Sequence, residues 1–525
     1  MHRLSDQEDL HCNNFCTTYP LINTLFNKIY NCPKIREAVK MTADNANLLI
    51  IMADEHQAGA MGCAGHPIVK TPNLDLLAQG GTRFTNAYTP SPICVPARAA
   101  FATGYCTHQT GYWCNAHPYD GRIKGWAHRL QENKISVLSI GKLHYRDEAT
   151  STGFDTQIVP MHVVDGVGDI MGAVRDKLPP RPKNKSLAEK IGPGNSSYIE
   201  YDKQITKEAE KWLTEHAAKQ KNSWVLFVSL VCPHFPLISP PEFFDLYPPE
   251  SIPLPRDHPD NGIKRHPWIN EQAKCQLYDQ FFTDETRRIA IASYFGLCTF
   301  LDHNVGKILS ALEGSGESSK TRVIYTSDHG DNLGARGLWG KSNMYEESVG
   351  IPLVATGPNI PKSKKVKTPV SLLDFYPTIL DTVGITPDKD DQARPGQSLW
   401  NTANEDNDSK KVVFSEYHAV GAATGCFMIR KRNLKYVYYV DYPAQLFDLD
   451  ADPLEKKNLI NDPSYFASIK ELEIELRNIC DPELVDEHAK KDQAALVKKH
   501  GGRDAVLKKG SFSGTPAPGE QAIYG

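Results

Sequence analysis

The chain has 525 residues, with 59 Lys and Arg against 63 Asp and Glu, 40% hydrophobic residues and 12 cysteines. A formal charge of −4 leaves no basic excess of the kind nucleic acid selects, and no apolar stretch reaches membrane-spanning length. Irregular cysteine spacing, and an N-terminus without the basic-then-apolar order of a signal peptide, predict reduced thiols and a cytoplasmic location for one large α/β domain with a smaller appendage.

Residues 1–44 precede the first core strand and read as an N-terminal extension, and whether Met1 or Met41 is the start stays open. Cys12, Cys16 and Cys32 there resemble part of a zinc cluster that lacks a fourth ligand. The run Asn47-Leu-Leu-Ile-Ile-Met-Ala53 is continuously apolar, as a parallel strand buried on both faces must be, and it ends in Asp54-Glu55-His56. Such a strand presents its next side chains to the crevice at the carboxyl edge of a sheet. Cys94-Val95-Pro96-Ala97-Arg98, followed by Thr103-Gly104, sets one cysteine at a helix start. One turn on, the Arg98 guanidinium can lie beside it and hold an anionic oxygen. Alone, this pentapeptide serves a buried structural thiol equally well.

A short strand over 135–140 leads into Gly141-Lys142-Leu143-His144. If extended, Lys142 and His144 point to one side, which suits a tetrahedral anion; the bland reading is a solvated charged loop. Trp224-Val-Leu-Phe-Val-Ser-Leu230 is a further buried strand, ending in Cys232-Pro233-His234-Phe235-Pro236. Thr321-Arg-Val-Ile-Tyr-Thr326 is another, ending in Ser327-Asp328-His329-Gly330-Asp331. Two strands therefore bring acids to one edge, where carboxylates with an imidazole suit Ca²⁺, Mg²⁺ or Mn²⁺. An Asp after a strand also serves as an ordinary helix N-cap. Strands alternating with helices to about residue 400 predict a large, mainly parallel β-sheet flanked by helices, with irregular excursions over 155–200 and 240–270 crossing the edge where side chains converge.

On Cys94 to Arg98, Asp54, the Asp328-His329 pair, Thr71-Pro72-Asn73-Leu74-Asp75 and Gly81-Thr82-Arg83-Phe84, residues 47 to about 460 resemble the type I, formylglycine-dependent sulfatases of the alkaline phosphatase superfamily. The Asp-His pair is nearest to the choline sulfatase and phosphonate monoester hydrolase branches. The resemblance implies an alkaline phosphatase-like catalytic domain over 45–405 and a small C-terminal antiparallel α+β subdomain over 406–482. Its strands would lie near 413–417, 426–430, 434–439 and 445–448, followed by a helix from about Tyr465 to Cys480. Residues 483–525 read as a tail, most simply a surface arm, with oligomer contact as the second reading.

The resemblance further implies hydrolysis of a small-molecule sulfate ester to an alcohol and inorganic sulfate. Cys94 would be oxidised to 3-oxoalanine (formylglycine) by a formylglycine-generating enzyme, and its hydrate would be the nucleophile. Asp54, Glu55, Cys94, Asp328 and His329 would hold one divalent metal, Ca²⁺ or Mn²⁺. Arg98 would support the hydrate, and Lys142 and Lys341 would hold the sulfate. His234 or Lys341 would protonate the leaving oxygen, His144 would take a proton from the hydrate, and Asn115 would touch the anion. Glu55 is one methylene longer than the usual acid, and His329 replaces the commoner Asn, which tilts the site toward Mn²⁺ or another transition metal.

Tyr112, Trp113, His117, Tyr119, Trp126 and Tyr145 would either frame an aryl, sugar or quaternary ammonium leaving group or pack the core. Two other functions stay open. A phosphonate monoester or phosphodiester hydrolase would use the same nucleophile and is favoured by Asp328-His329, whereas Lys142 with His144 favours sulfate. A non-catalytic metal or anion binder would leave this polar set without a task. Oligomeric state stays open as well.

Overall fold

The apolar run before Asp54 forms the middle of a large sheet. In this computed structural model, which describes residues 45–408, 410–512 and 514–524, the sheet comprises β1 (Asn47–Asp54), β2 (Thr82–Phe84), β3 (Ser136–Lys142), β4 (Thr156–Met161), β5 (Trp224–Pro233), β6 (Thr321–Ser327), β7 (Leu353–Thr356) and β8 (Lys364–Val366). The proposed extension over 1–44, with Cys12, Cys16, Cys32 and Met41, lies outside the described residues. The spatial order is β8-β2-β7-β6-β1-β5-β3-β4. Only β7 runs antiparallel to its neighbours, so β1, β3, β5 and β6 all end on one edge.

Six helices cover the sheet: α1 (Pro72–Gln79), α2 (Cys94–Thr103), α3 (Trp126–Glu132), α4 (Ser197–Glu215), α5 (Asp284–Gly314) and α6 (Phe375–Thr382). Successive β1 side chains point to opposite faces. Leu48, Ile50 and Met52 meet Phe101 of α2, Trp126 of α3 and Ile379 of α6. Leu49, Ile51 and Ala53 meet Leu77 of α1, Ile205 of α4 and Val305 of α5. Both faces are dry, which is why the run carries no polar alternation. Each of its large apolar side chains contributes about 1.5–3 kcal/mol on burial, and together they fix the depth at which Asp54 emerges.

The second sheet holds β9 (Val412–Tyr417), β10 (Cys426–Lys431), β11 (Leu434–Tyr439) and β12 (Tyr442–Asp448), each antiparallel to the next. Leu472 and Leu476 of α7 (Phe466–Ile479) pack into the same cluster as Phe427, Ile429 and Ala100, so the small sheet leans on the back of α2. Both sheets belong to one compact unit, Ala46–Gly525. The segment expected to be an arm is largely helical: α8 (Pro482–Lys499) and α9 (Gly502–Lys509) follow α7. Asp481 caps α8 by accepting from Leu484 N, and Val485 and Ala489 of α8 enter that core. Their helical spacing outweighs the polar composition that suggested an arm.

The aromatics close to Cys94 in sequence pack cores. Tyr112, Tyr119, Trp126 and Tyr145 belong to the α2–α3–α6 side of the sheet, and Trp113 packs beneath the small sheet with its indole N–H donated to Asp492. None of the six lines the cavity at Cys94 described below.

Glu416, at the end of β9, is fully buried between His108 and His418, at 2.9 and 3.0 Å. Burial works against its charge, but the two imidazoles outweigh burial and bring its pKa down to about 2 from 4.5. A carboxyl lowered in the folded state stabilises above its unfolded pKa and loses that contribution as pH falls through the folded one. The stability gap between the native protein and Glu416→Gln, read from urea unfolding, is therefore expected to be widest near neutral pH. It should narrow by about 3 kcal/mol as the pH drops through the window from 4.5 toward 2. A gap independent of pH would show that Glu416 titrates alike in both states.

Candidate active site

Four parallel strands deliver the polar residues. β1 ends in Asp54, β6 is followed by Asp328 and His329, β5 runs into His234, and β3 ends in Lys142. Gly141 lets β3 and β5 approach at this edge: its φ is +97°, and a Cβ there would stand 2.3 Å from the Ser229 carbonyl oxygen. Cys94 enters from α2, whose first turn faces the same edge. Asn115 Oδ1 accepts from Val95 N at 3.3 Å, occupying one of the free N–H groups at that helix start.

Arg98 joins these elements. Its Nε donates to Asp328 Oδ2 at 2.9 Å and its Nη2 to Asp54 Oδ2 at 3.0 Å, while Nη1 donates to Lys142 O and Ser229 Oγ, both at 2.8 Å. The sequence reading gave Arg98 to an anionic oxygen. In the structure the guanidinium is spent on two buried acids that need a counter-ion, and it orients the groups around Cys94 through them.

Asp54 also accepts Lys142 Nζ at 2.7 Å. Burial would raise its pKa, but Lys142, His234 and Arg98 outweigh burial and hold the carboxyl well below the usual range. Cys94 Sγ lies 3.6 Å from Asp54 Oδ1 and 3.1 Å from His329 Nε2. The other His329 nitrogen, Nδ1, faces the Gly330 carbonyl at 3.1 Å and so carries the proton, leaving a lone pair on Nε2. One ligand atom from each of Asp54, Cys94, Asp328 and His329 lies within 4.8 Å of the other three. Carboxylates, imidazole and sulfur in one dry cluster fit a divalent cation.

Glu55 belongs to an adjoining group with Asp54 and His234. Its Oε2 accepts Lys341 Nζ at 2.8 Å and lies 3.3 Å from His234 Nε2, whereas buried Oε1 has no partner among the described residues. Burial pushes Glu55 well above the carboxylate range, with Asp331 adding to the rise against Lys341. His234 Nδ1 donates to Phe235 O at 2.7 Å, so its Nε2 presents a lone pair to Glu55. Burial, with Lys341 beside it, keeps His234 well below its ordinary pKa. Lone pairs facing each other at this distance call for a proton or a cation between them, which the Glu55 proton or a metal satisfies.

Lys142, His144, His234 and Lys341 line a cavity of about 90 Å³ with Cys94 at its floor. His144 does not follow the extended geometry expected of it: its φ is +56°, and its Nε2 pairs with Thr515 Oγ1 at 2.8 Å. Burial, with Lys142 and Arg98 nearby, holds His144 well below its ordinary pKa, so the ring is neutral near pH 7. Burial also pushes the Cys94 thiol up to about 12, with Asp54 adding to it. His56, by contrast, turns inward to Tyr325 OH and Ala60 O and takes no part. The sequence reading missed Ser229, which meets Arg98, and the Thr515 contact, which no local pattern signals. It quoted Asp331 without a role; this acid accepts from Leu333 N and Gly340 N beside Glu55.

Residues 46–385 match the family model for Sulfatase, and residues 334–481 match that for the N-sulphoglucosamine sulphohydrolase C-terminal region. The chain is 32% identical over 440 residues to a choline-sulfatase of Rhizobium meliloti, covering 81% of this chain and 84% of the relative. It is 30% identical over 447 residues to arylsulfatase K of Bos taurus, covering 81% and 80%. Among solved structures, the phosphonate monoester hydrolase of Agrobacterium radiobacter superposes with a TM-score of 0.66 at 22% identity, over 83% of this chain and 95% of that one.

A divalent cation that binds only the folded cluster stabilises it by mass action, about 2.7 kcal/mol at a hundred times its Kd. Thermal unfolding with Mn²⁺ or Ca²⁺ against chelator is expected to show that rise, and His329→Asn is expected to weaken Mn²⁺ more than Ca²⁺. An unfolding curve indifferent to both ions would remove the metal from this site.

Proposed function

The chain belongs to the sulfatase family and is a sulfuric ester hydrolase, and from that premise we propose that its nucleophile is Cys94 converted to formylglycine, assisted by a divalent metal. The observation that carries this reading is the place of Cys94, at a helix start between an acid cluster and a wall of cations. With its pKa pushed up to about 12, the unmodified thiol is a poor nucleophile near pH 7. The modified side chain would supply a hydroxyl for attack on sulfur and a second hydroxyl on the same carbon. Asp54, Asp328, His329 and the modified residue 94 would hold the metal, which supplies Lewis-acid polarisation of a sulfuryl oxygen.

The chain's own residues do the rest. Lys142 and Lys341 flank the cavity from two sides and neutralise charge on the sulfuryl oxygens. Lys341 keeps its proton: burial works against its charge, but the acids Glu55, at 2.8 Å, and Asp54 outweigh burial and raise its pKa well above the ordinary value. Lys341 rather than His234 is then the donor to the leaving oxygen, because His234 carries its proton on the nitrogen turned to Phe235 O. Neutral His144 is the group free to accept a proton. The cavity of about 90 Å³ admits a sulfuryl group and little water. The relatives' names point to two leaving-group classes for this chain, quaternary ammonium and aryl.

Mass spectrometry of the Cys94 peptide, from protein made in a host with formylglycine-generating activity, is expected to show the aldehyde or its hydrate. A free thiol there would end the nucleophile assignment. In parallel assays an aryl sulfate should exceed an aryl phosphonate in kcat/KM, and the reverse order would favour the phosphonate reading. Lys341→Ala is expected to lower kcat/KM for an alkyl sulfate by about 10²–10⁴, the usual size of a general-acid term. The loss should be much smaller for 4-nitrophenyl sulfate, whose leaving oxygen departs unprotonated. Equal losses would leave Lys341 a charge-stabilising role alone.

A further inference from the structure

Beyond α9 the chain turns back across the edge where the strands end. Phe512, Gly514 and Thr515 line the same cavity as Cys94 and His144. This strap is anchored on both sides of the site. Tyr198 OH donates to Thr515 O at 2.5 Å, Ala517 is buried in the cluster that holds Tyr198 and Ile205, and Lys183 Nζ donates to Ile523 O at 2.8 Å. Phe512 packs edge-on against Tyr524 at 5.4 Å. Gly514 permits the close pass, since a Cβ there would lie 3.0 Å from Tyr198 OH.

We infer that this C-terminal strap is part of the catalytic apparatus, with the Thr515 hydroxyl as a positioning group for His144. The inference rests on the reading of His144 as a base of the sulfatase reaction. Thr515 Oγ1 is the partner of His144 Nε2, at 2.8 Å, while the buried Nδ1 has no partner among the described residues. A neutral imidazole carries one proton, and the hydroxyl can accept it at Nε2 or donate to a lone pair there. In either tautomer the contact fixes the ring orientation, and it does so from a residue whose backbone is latched by Tyr198. Slack in the strap frees the ring. The same latch makes the strap a wall of that cavity, 371 residues away in sequence from the histidine it holds.

Thr515→Val removes the hydroxyl at nearly constant shape, and Thr515→Ser restores it. Sulfate release from 4-nitrophenyl sulfate and carbethoxylation of His144 by diethyl pyrocarbonate, read by peptide mass, are measured on wild type and both variants. Expected for Thr515→Val is a fall in kcat of at least about tenfold with KM changed less than about threefold, the size of one lost positioning hydrogen bond. Thr515→Ser should keep kcat within about threefold of wild type. His144 should be carbethoxylated several times faster in Thr515→Val than in the other two, an effect independent of turnover and of the state of residue 94. The inference is overturned if Thr515→Val turns over like wild type, if serine fails to restore kcat, or if His144 reacts at one rate in all three proteins. Should wild type release no sulfate, the sulfatase mechanism fails separately, and the carbethoxylation rates alone decide whether the strap holds His144.

Discussion

Two carboxylates held by one guanidinium govern the site. Asp54 and Asp328 end adjacent parallel strands, and without a cation between them their repulsion in a dry interior would cost several kcal/mol. Arg98 lies between them because α2 starts at Cys94 and places its fifth residue one turn deeper. The guanidinium fork fits two acids and, through its remaining nitrogen, the ends of β3 and β5. A lysine could neutralise one of these partners but could not tie four elements together. The position of Cys94 therefore follows from the counter-ion's: once Arg98 is seated, the first turn of α2 has one place to put residue 94.

The charge balance follows from that arrangement. Asp54, Glu55, Asp328 and Asp331 meet Arg98, Lys142 and Lys341 in a buried volume, and the pairing is uneven. Asp54 has two cations at salt-bridge distance, whereas Glu55 has one lysine and an oxygen without a donor among the described residues. Environments push the two acids in opposite directions, one far down and the other far up. That is the pattern by which a fold separates a permanent ligand from a group that carries a proton.

How much of this was legible depends on distance in sequence. The strand ends were readable because burial on both faces forces an unbroken apolar run, so the polar residue that stops it marks the sheet edge, as at Asp54 and Asp328. Lys142, His234 and Lys341 were found by the family resemblance, and the geometry brings them to one cavity. Of the two readings left open for the neighbours of Cys94, core packing holds for Trp126 and Tyr119: they are close along the chain, but they pack with the helices on one side of the sheet, away from its edge. His144 was expected to extend like a strand residue and instead sits in the left-handed region, a conformation that the Lys-x-His spacing does not encode. Thr515 was invisible because its partner lies in another part of the chain and the tail's composition reads as solvent-exposed.

The tail's place at the cavity bears on substrate choice under the proposed reaction. The sulfuryl end of the cavity is built from strand ends fixed by the main core, so it tolerates little variation. Chain from outside the large sheet also lines the cavity: Asp169 and Arg181 from the excursion after β4, Tyr278 before α5, and Phe512 from the strap. Within the excursion Arg181 pairs with Asp169 at 2.6 Å, and its backbone N donates to Cys275 O, in the segment that leads to Tyr278, at 2.9 Å. Changing them alters the leaving-group compartment without disturbing Arg98 or the acids. A fold of this type can therefore keep one chemistry while exchanging alcohols, provided that whatever closes the cavity still holds the base in register.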